Sequence, residues 1–213
     1  MSDGSISLDD ITAWLGRFAE LVTDQRAYLT ELDSAIGDAD HGANMARGMT
    51  AVMEKIGAGT PGAADDLFKT VGMTLVTSVG GASGPLYGTF FLRMGMTAGP
   101  VASFDAAAFG AALRAGLDGV VARGKAEPGD KTMFDAMSPA LDAYDAAIAG
   151  GGSIPDATAA AFAAAETGRD ATIPLVARKG RASYLGERSA GHLDPGATST
   201  AFLFQALAET VGG

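Results

Sequence analysis

Apolar residues recur at steps of three and four along most of this chain. Leu8, Ile11, Leu15, Phe18, Val22, Leu29, Leu32 and Ile36 form one such stripe, broken only at Gln25, and that spacing marks one face of a helix. Ser7 stands where an N-cap belongs, and Asp9 and Asp10 fall in the first turn, where the helix dipole favours negative charge. One helix from Leu8 to Leu32 would be about 36 Å long at roughly 1.5 Å per residue. A coiled-coil strand is the alternative, but the pattern lasts only about four heptads and the rest of the chain is just as helical.

The same period predicts a second helix over Asn44 to Ile56, with Met45, Met49, Val52 and Ile56 on one stripe, followed by a turn at Gly57 to Gly62. A third helix fits Ala64 to Val79. A fourth begins at Pro85, a residue favoured at the first helical position. A fifth runs from Asp105 or Ala106 to Val121. A sixth carries Phe134, Met137, Leu141, Tyr144 and Ile148, kinked or begun late at Pro139. The alanine-rich run from Pro155 to Ala165 continues towards Val176, with interruptions near Gly168 and Pro174, and a last helix covers Ala197 to Thr210. Runs of β-branched residues are nearly absent, so no strand and no hairpin is predicted. The expected fold is all-α, a single domain over residues 1–213 with about eight helices.

Composition narrows the function classes. The 213 residues are 47% hydrophobic and 19% charged, enough apolar surface for a full core and not the profile of a disordered tail. Fifteen Lys and Arg against 25 Asp and Glu give a net charge of −10, which argues against a nucleic-acid binder. With no cysteine there is no disulfide and no thiolate zinc site. The start, Met1-Ser2-Asp3-Gly4, lacks a basic region before an apolar core, and no stretch approaches the roughly 20 apolar residues of a membrane span. A cytoplasmic protein with no membrane contact is expected.

Four stretches carry candidate chemistry. Asp33, Asp38 and Asp40 flank Gly37 between the first two helices. Asp33 leaves its helix on the core-facing side, four residues after Leu29, and three carboxylates brought together need a hard dication such as Mg²⁺ or Ca²⁺. A solvated acidic turn is the plainer reading of an Asp-x-Asp pair, and the loop lacks the ligand spacing of an EF-hand. Gly80-Gly81-Ala82-Ser83-Gly84-Pro85 can line a backbone nest for an anion at a helix N-terminus, or serve as an ordinary turn. Gly124 to Thr132 nearly spells a Walker loop, but Asp130 intervenes between Gly129 and Lys131 and no strand precedes it. There Asp130 is expected to cap the sixth helix. The fourth stretch, Arg178-Lys179-Gly180-Arg181 through Asp194-Pro195-Gly196, holds the densest positive charge of an acidic chain. His41 lies inside the acidic loop, as a ligand contact, a phosphoryl acceptor or a hydrogen-bonded residue; His192 is read as structural.

Together these are the parts of a metal–nucleotide site. Three aspartates and ADP contribute about −6, and two Mg²⁺ with one or two arginines bring the sum near zero, so two ions are expected.

The runs Ala35-Ile36-Gly37-Asp38-Ala39-Asp40-His41-Gly42-Ala43-Asn44-Met45, Gly80 to Pro85, Gly129-Asp130-Lys131-Thr132-Met133 and Gly180-Arg181-Ala182-Ser183-Tyr184-Leu185-Gly186 resemble the L-subunit family of dihydroxyacetone kinases. The likeness covers essentially the whole chain. It implies an up-and-down barrel of eight helices with Mg–ADP held by the loops at one end. Asp33, Asp38 and Asp40 would ligate magnesium. His41, Gly42, Ala43, Asn44, Ala82, Ser83, Gly124, Met133, Arg181, Asp194, Pro195 and Gly196 would contact the nucleotide, ADP or ATP, with Arg181 in a catalytic role. At 213 residues the chain resembles the free form. In that form a phosphohistidine on an M subunit of the phosphoenolpyruvate-dependent system rephosphorylates bound ADP, and the phosphoryl group passes to dihydroxyacetone on a K subunit. The oligomeric state is left open, a homodimer included. The rival readings are an ATP-dependent kinase subunit acting on another ketose and a non-enzymatic helical metal-binding interaction protein.

Overall fold

The computed structural model describes residues 4–59 and 61–211. Met1, Ser2 and Asp3 of the N-terminal reading, Thr60 of the predicted turn, and Gly212 and Gly213 lie outside the described residues. In chain order the elements are β1 (Ser5–Ser7), α1 (Leu8–Asp24), α2 (Arg26–Ile36), α3 (His41–Gly57), α4 (Ala64–Ser78), α5 (Ser83–Ala98), β2 (Ser103–Asp105), α6 (Ala106–Gly124), α7 (Met133–Ala149), α8 (Ile154–Ala171), a 3₁₀ segment (Arg181–Ser189) and α9 (Pro195–Thr210).

Eight of the helices close a ring. Each of α3 to α8 packs on its sequence neighbour, α8 on α9, α9 on α1, and α1 on α3. Short connections make α3 to α8 antiparallel to their sequence neighbours, and the starts of α3, α5, α7 and α9 lie at one end, where they line a common cleft. The core runs through the ring, with Trp14, Phe18, Phe68, Phe90, Phe91, Phe109 and Phe204 fully buried and Trp14 edge-on to Phe109 at 5.9 Å. The indole Nε1–H donates to the Leu203 carbonyl at 2.8 Å, which removes the cost of burying that donor.

Local chemistry sets the boundaries. Ser7 and Asp10 form a reciprocal capping box at α1, as do Thr132 and Asp135 at α7 and Ser153 and Asp156 at α8. The predicted 36 Å first helix is instead two, parted at Gln25 (φ −93°, ψ 14°), the one position where the apolar stripe lapses. The second part, α2, leaves the ring and packs on α3, α9 and the 3₁₀ segment. Pro139 sits inside a continuous α7. It supplies no N–H for the Asp135 carbonyl, and Gly168 of α8 comes so near that a Cβ there would lie 2.2 Å from that oxygen. Ala157, Ala161 and Ala165 are buried on the same face of α8, so small residues bring α7 and α8 close.

Two further expectations are corrected. Among the described residues there are two strands after all, β1 and β2, paired antiparallel with Ile6 opposite Phe104; three residues each is too short for a period-2 signal. Thr132, not Asp130, caps α7. Its hydroxyl accepts from Phe134 N, while the Asp130 carboxylate accepts from Glu127 N at 2.8 Å and closes its own loop. No helix of the described residues is long and apolar enough to cross a membrane.

Candidate functional site

The three aspartates meet. Asp33 lies on the last turn of α2, and the chain then bends at Gly37, whose N–H donates to the Asp33 carbonyl at 2.6 Å. A Cβ on Gly37 would fall 2.0 Å from Asp33 Oδ1, so any side chain here would displace the Asp33 carboxylate. Ala39 is left-handed (φ +62°), an uncommon state for a residue with a Cβ, and it separates Asp38 from Asp40. The buried Asp33 carboxylate accepts from Asp40 N at 2.8 Å and His41 N at 3.1 Å. It therefore caps α3, whose own N-cap residue, Asp40, makes no side-chain capping bond. One oxygen from each of Asp33, Asp38 and Asp40 lies within 4.8 Å of the other two. Octahedral Mg²⁺ sets its ligand oxygens about 3–4 Å apart, so small side-chain rotations close this set on one ion or bridge two. An all-carboxylate donor set of this kind fits a hard dication and not a soft one.

The cluster opens on a cleft of 420 Å³. Its lining includes the first residues of α3 (His41), α5 (Ser83), α7 (Met133) and α9 (Pro195, Gly196). Four helix N-termini thus face one space because alternate helices of the ring point the same way, and each brings partial positive charge. The Gly80–Ser83 loop adds a wall, with Gly81 left-handed (φ +65°). Asn44 abuts Gly80, so that a Cβ on Gly80 would meet the Asn44 amide at 2.9 Å. Lys179 and Arg181 supply full charges, and Leu86, Val120, Ala126 and Met133 supply apolar surface. Arg181 Nε donates to Asp38 Oδ2 at 2.8 Å. Dications, polyphosphate and a flat apolar group each find a matching wall here.

Behind the wall, His41 ties three of those helices together. Its Nδ1 is 3.2 Å from Ser83 Oγ and its Nε2 2.9 Å from Ser199 Oγ, and Ser199 Oγ lies 2.8 Å from the Tyr87 hydroxyl, which also reaches Thr200. Burial lowers the His41 pKa, opposed by Asp33 and Asp40. Burial pushes Tyr87 up to about 12. With both ring nitrogens engaged and the ring buried, His41 is built as a hydrogen-bonded strut and not as an exposed phosphoryl carrier. Asp194 is buried and caps α9 through Ala197 N at 2.7 Å. Burial raises it to about 7, against the pull of the Ala197 N–H and Lys131. Lys131 is itself buried, and desolvation lowers its pKa.

Of the expected nucleotide contacts, His41, Asn44, Ala82, Ser83, Gly124, Met133, Arg181, Asp194, Pro195 and Gly196 line the cleft. Gly42 and Ala43 do not. Gly42 presses on α2, where a Cβ would lie 2.1 Å from the Arg26 carbonyl. The His192 side chain is exposed, and its carbonyl takes a hydrogen bond from Lys131. Sequence reasoning missed Tyr87 and Ser199, which look like any helix-interior residues, and Leu86 and Val120, whose apolar character reads as core.

The DAK2 domain matches residues 35–209. The Escherichia coli K12 protein named PEP-dependent dihydroxyacetone kinase, ADP-binding subunit DhaL, is 48% identical over 204 residues, 96% of this chain and 97% of its own. A Lactococcus lactis protein named PTS-dependent dihydroxyacetone kinase, ADP-binding subunit DhaL, is 44% identical over 97% of this chain and 99% of its own. The crystal structure of the dihydroxyacetone kinase from C. freundii in complex with AMP-PNP and Mg²⁺ superposes with a TM-score of 0.72 at 29% identity, covering 93% of this chain and 33% of that one.

Proposed function

Starting from the fact that the chain belongs to the DAK2 domain family, we propose that it is the ADP-binding subunit of a dihydroxyacetone kinase, holding Mg–ADP as a lasting cofactor. In this role it takes a phosphoryl group from a phosphohistidine on an M-type partner and delivers it to dihydroxyacetone on a K-type subunit. The observation that carries the reading is the meeting of Asp33, Asp38 and Asp40 with four helix N-termini in one cleft. That combination of anionic and cationic walls suits a dication-bridged diphosphate and little else. The names of the Escherichia coli and Lactococcus lactis relatives support the nucleotide and the kinase, and the C. freundii complex supports a nucleotide with Mg²⁺.

Asp33, Asp38 and Asp40 would hold the metal, which neutralises phosphate charge when bound. Charge balance favours two ions. Asp33 is oriented in advance by the two N–H groups it accepts. Asn44, Ala82 and Ser83 bring two helix starts towards the phosphates, and Gly124, Met133, Asp194, Pro195 and Gly196 complete the wall. Arg181, two-thirds exposed, can turn from Asp38 to charge developing on a transferring phosphoryl group. Phosphoryl transfer relies on positioning and charge more than on an acid or base, in keeping with a lining rich in Asp and Gly.

The test is native mass spectrometry of the purified protein together with calorimetry. Bound ADP should survive dialysis and be phosphorylated in place, and Asp38→Asn should abolish Mg–ADP binding. Rapid exchange of the nucleotide with free ATP would favour a ketose kinase drawing on ATP. Absence of nucleotide binding would leave a metal-binding interaction protein.

A further inference from the structure

The Gly129-Asp130-Lys131-Thr132 run, which resembles a Walker loop without being one, has a different use. Lys131 is left-handed (φ +63°), and the turn sends its side chain inward, where it is 1% exposed. Its ammonium donates to the carbonyls of Thr172 at 2.8 Å, Leu175 at 3.2 Å and His192, with Ile173 more distant at 3.4 Å. An ammonium has three protons, so three acceptors engage all of them, and no proton is left for a phosphate in the cleft.

Those acceptors sit at the two roots of one strap, residues 172–194, which leaves α8 and returns to α9. The roots also meet through Gly191 N, which donates to the Ile173 carbonyl at 2.7 Å, and Arg178 N donates to the Asp130 carbonyl beside Lys131 at 3.0 Å. Between the roots the strap carries Arg181, and at its end stands Asp194. Its apolar anchorage is slight: Ala177 and Ala182 pack with Leu185 on Ile36, a cluster separate from the main core. Burying an ammonium is costly unless its hydrogen bonds are complete, and here they are complete only because the strap follows this path.

Building on the proposed nucleotide site, we propose that Lys131 is a positioning residue that staples both roots of the strap and so fixes where Arg181 stands over the bound diphosphate. The test uses the full chain and Mg–ADP calorimetry in a double-mutant cycle. Lys131→Met, similar in length but without donors, should weaken Mg–ADP binding on the order of tenfold. If Lys131 acts through Arg181, adding it to Arg181→Gln should cost little more than Arg181→Gln alone. Wild-type affinity in Lys131→Met, or additive losses in the pair, would overturn the inference; a purely structural lysine gives additivity with a lowered melting temperature. Should Lys131→Met fail to fold, Lys131→Gln keeps two N–H donors and carries the same cycle, with the same two outcomes decisive. Wild-type protein that binds no Mg–ADP would overturn the site reading as well, whereas tight wild-type binding with an unaffected Lys131→Met overturns only the staple.

Discussion

Asp33 has two jobs in this structure, and replacing it separates them. It belongs to the carboxylate cluster, and it is the side-chain cap of α3 through Asp40 N and His41 N. In metal- and nucleotide-free protein, Asp33→Ala removes that cap, worth roughly 1–2 kcal/mol, and leaves N–H groups short of an acceptor at about 1 kcal/mol more. Relief of repulsion from Asp38 and Asp40 returns part of this, for a net loss of about 2 kcal/mol. At roughly 2–4 °C per kcal/mol for a chain of this size, the melting temperature in EDTA should fall by about 4–8 °C. Asp38→Ala is the control. Its ion pair is with an Arg181 that is 66% exposed, worth close to nothing, so its melting temperature should stay within about 2 °C. Both variants should lose Mg–ADP binding by calorimetry. Equal thermal losses, or an Asp33→Ala protein as stable as wild type without metal, would refute the capping role.

Three other outcomes are expected. Gly42→Ala, which would place a Cβ 2.1 Å from the Arg26 carbonyl and 2.6 Å from Thr30 Oγ1, should force α3 off α2 at a cost of about 2–3 kcal/mol in urea unfolding; an unchanged midpoint would contradict the close approach. Asp194, raised by burial from 3.8 to about 7, binds its proton more tightly folded than unfolded. Stability from this group is therefore full below pH 3.8 and lost as the pH rises through about 7, by about 4 kcal/mol at most, and Asp194→Asn should flatten urea stability across that window; a persisting slope would have another source. Tyr87→Phe should lower stability by about 1–2 kcal/mol by stripping Ser199 and Thr200 of a partner, a loss that thermal unfolding would register and whose absence would show the hydroxyls re-pair.

The ring was legible because its cause is periodic: each helix buries a stripe whose spacing survives in the sequence, down to the lapse at Gln25. The acidic loop was legible as a candidate because Asp33, Asp38 and Asp40 crowd around Gly37, although an Asp-x-Asp pair alone reads as readily as a solvated turn. Elements held by single contacts were not. Strands β1 and β2 pair through three residues each, and the 3₁₀ segment takes its path from the Lys131 bonds at the strap's root and from its own Ser189 hydroxyl, which accepts from Ala177 N. The capping of α7 was misplaced by two residues because Asp130 and Thr132 are equally good cap types, and only the reciprocal bond from Asp135 chooses between them. Nothing in the sequence around Gly42 signals that its small size serves packing against α2, because that contact forms only once the two helices meet.

The strap's meagre anchorage has a thermodynamic consequence. Resting on a four-member apolar patch detached from the aromatic interior, it can open in a sub-global step costing far less than melting the ring. Amide protons of residues 176–188 should then exchange with solvent long before those of α5 or α9. Opening confined to residues 176–188 would uncover the cleft while the eight-helix frame stays intact.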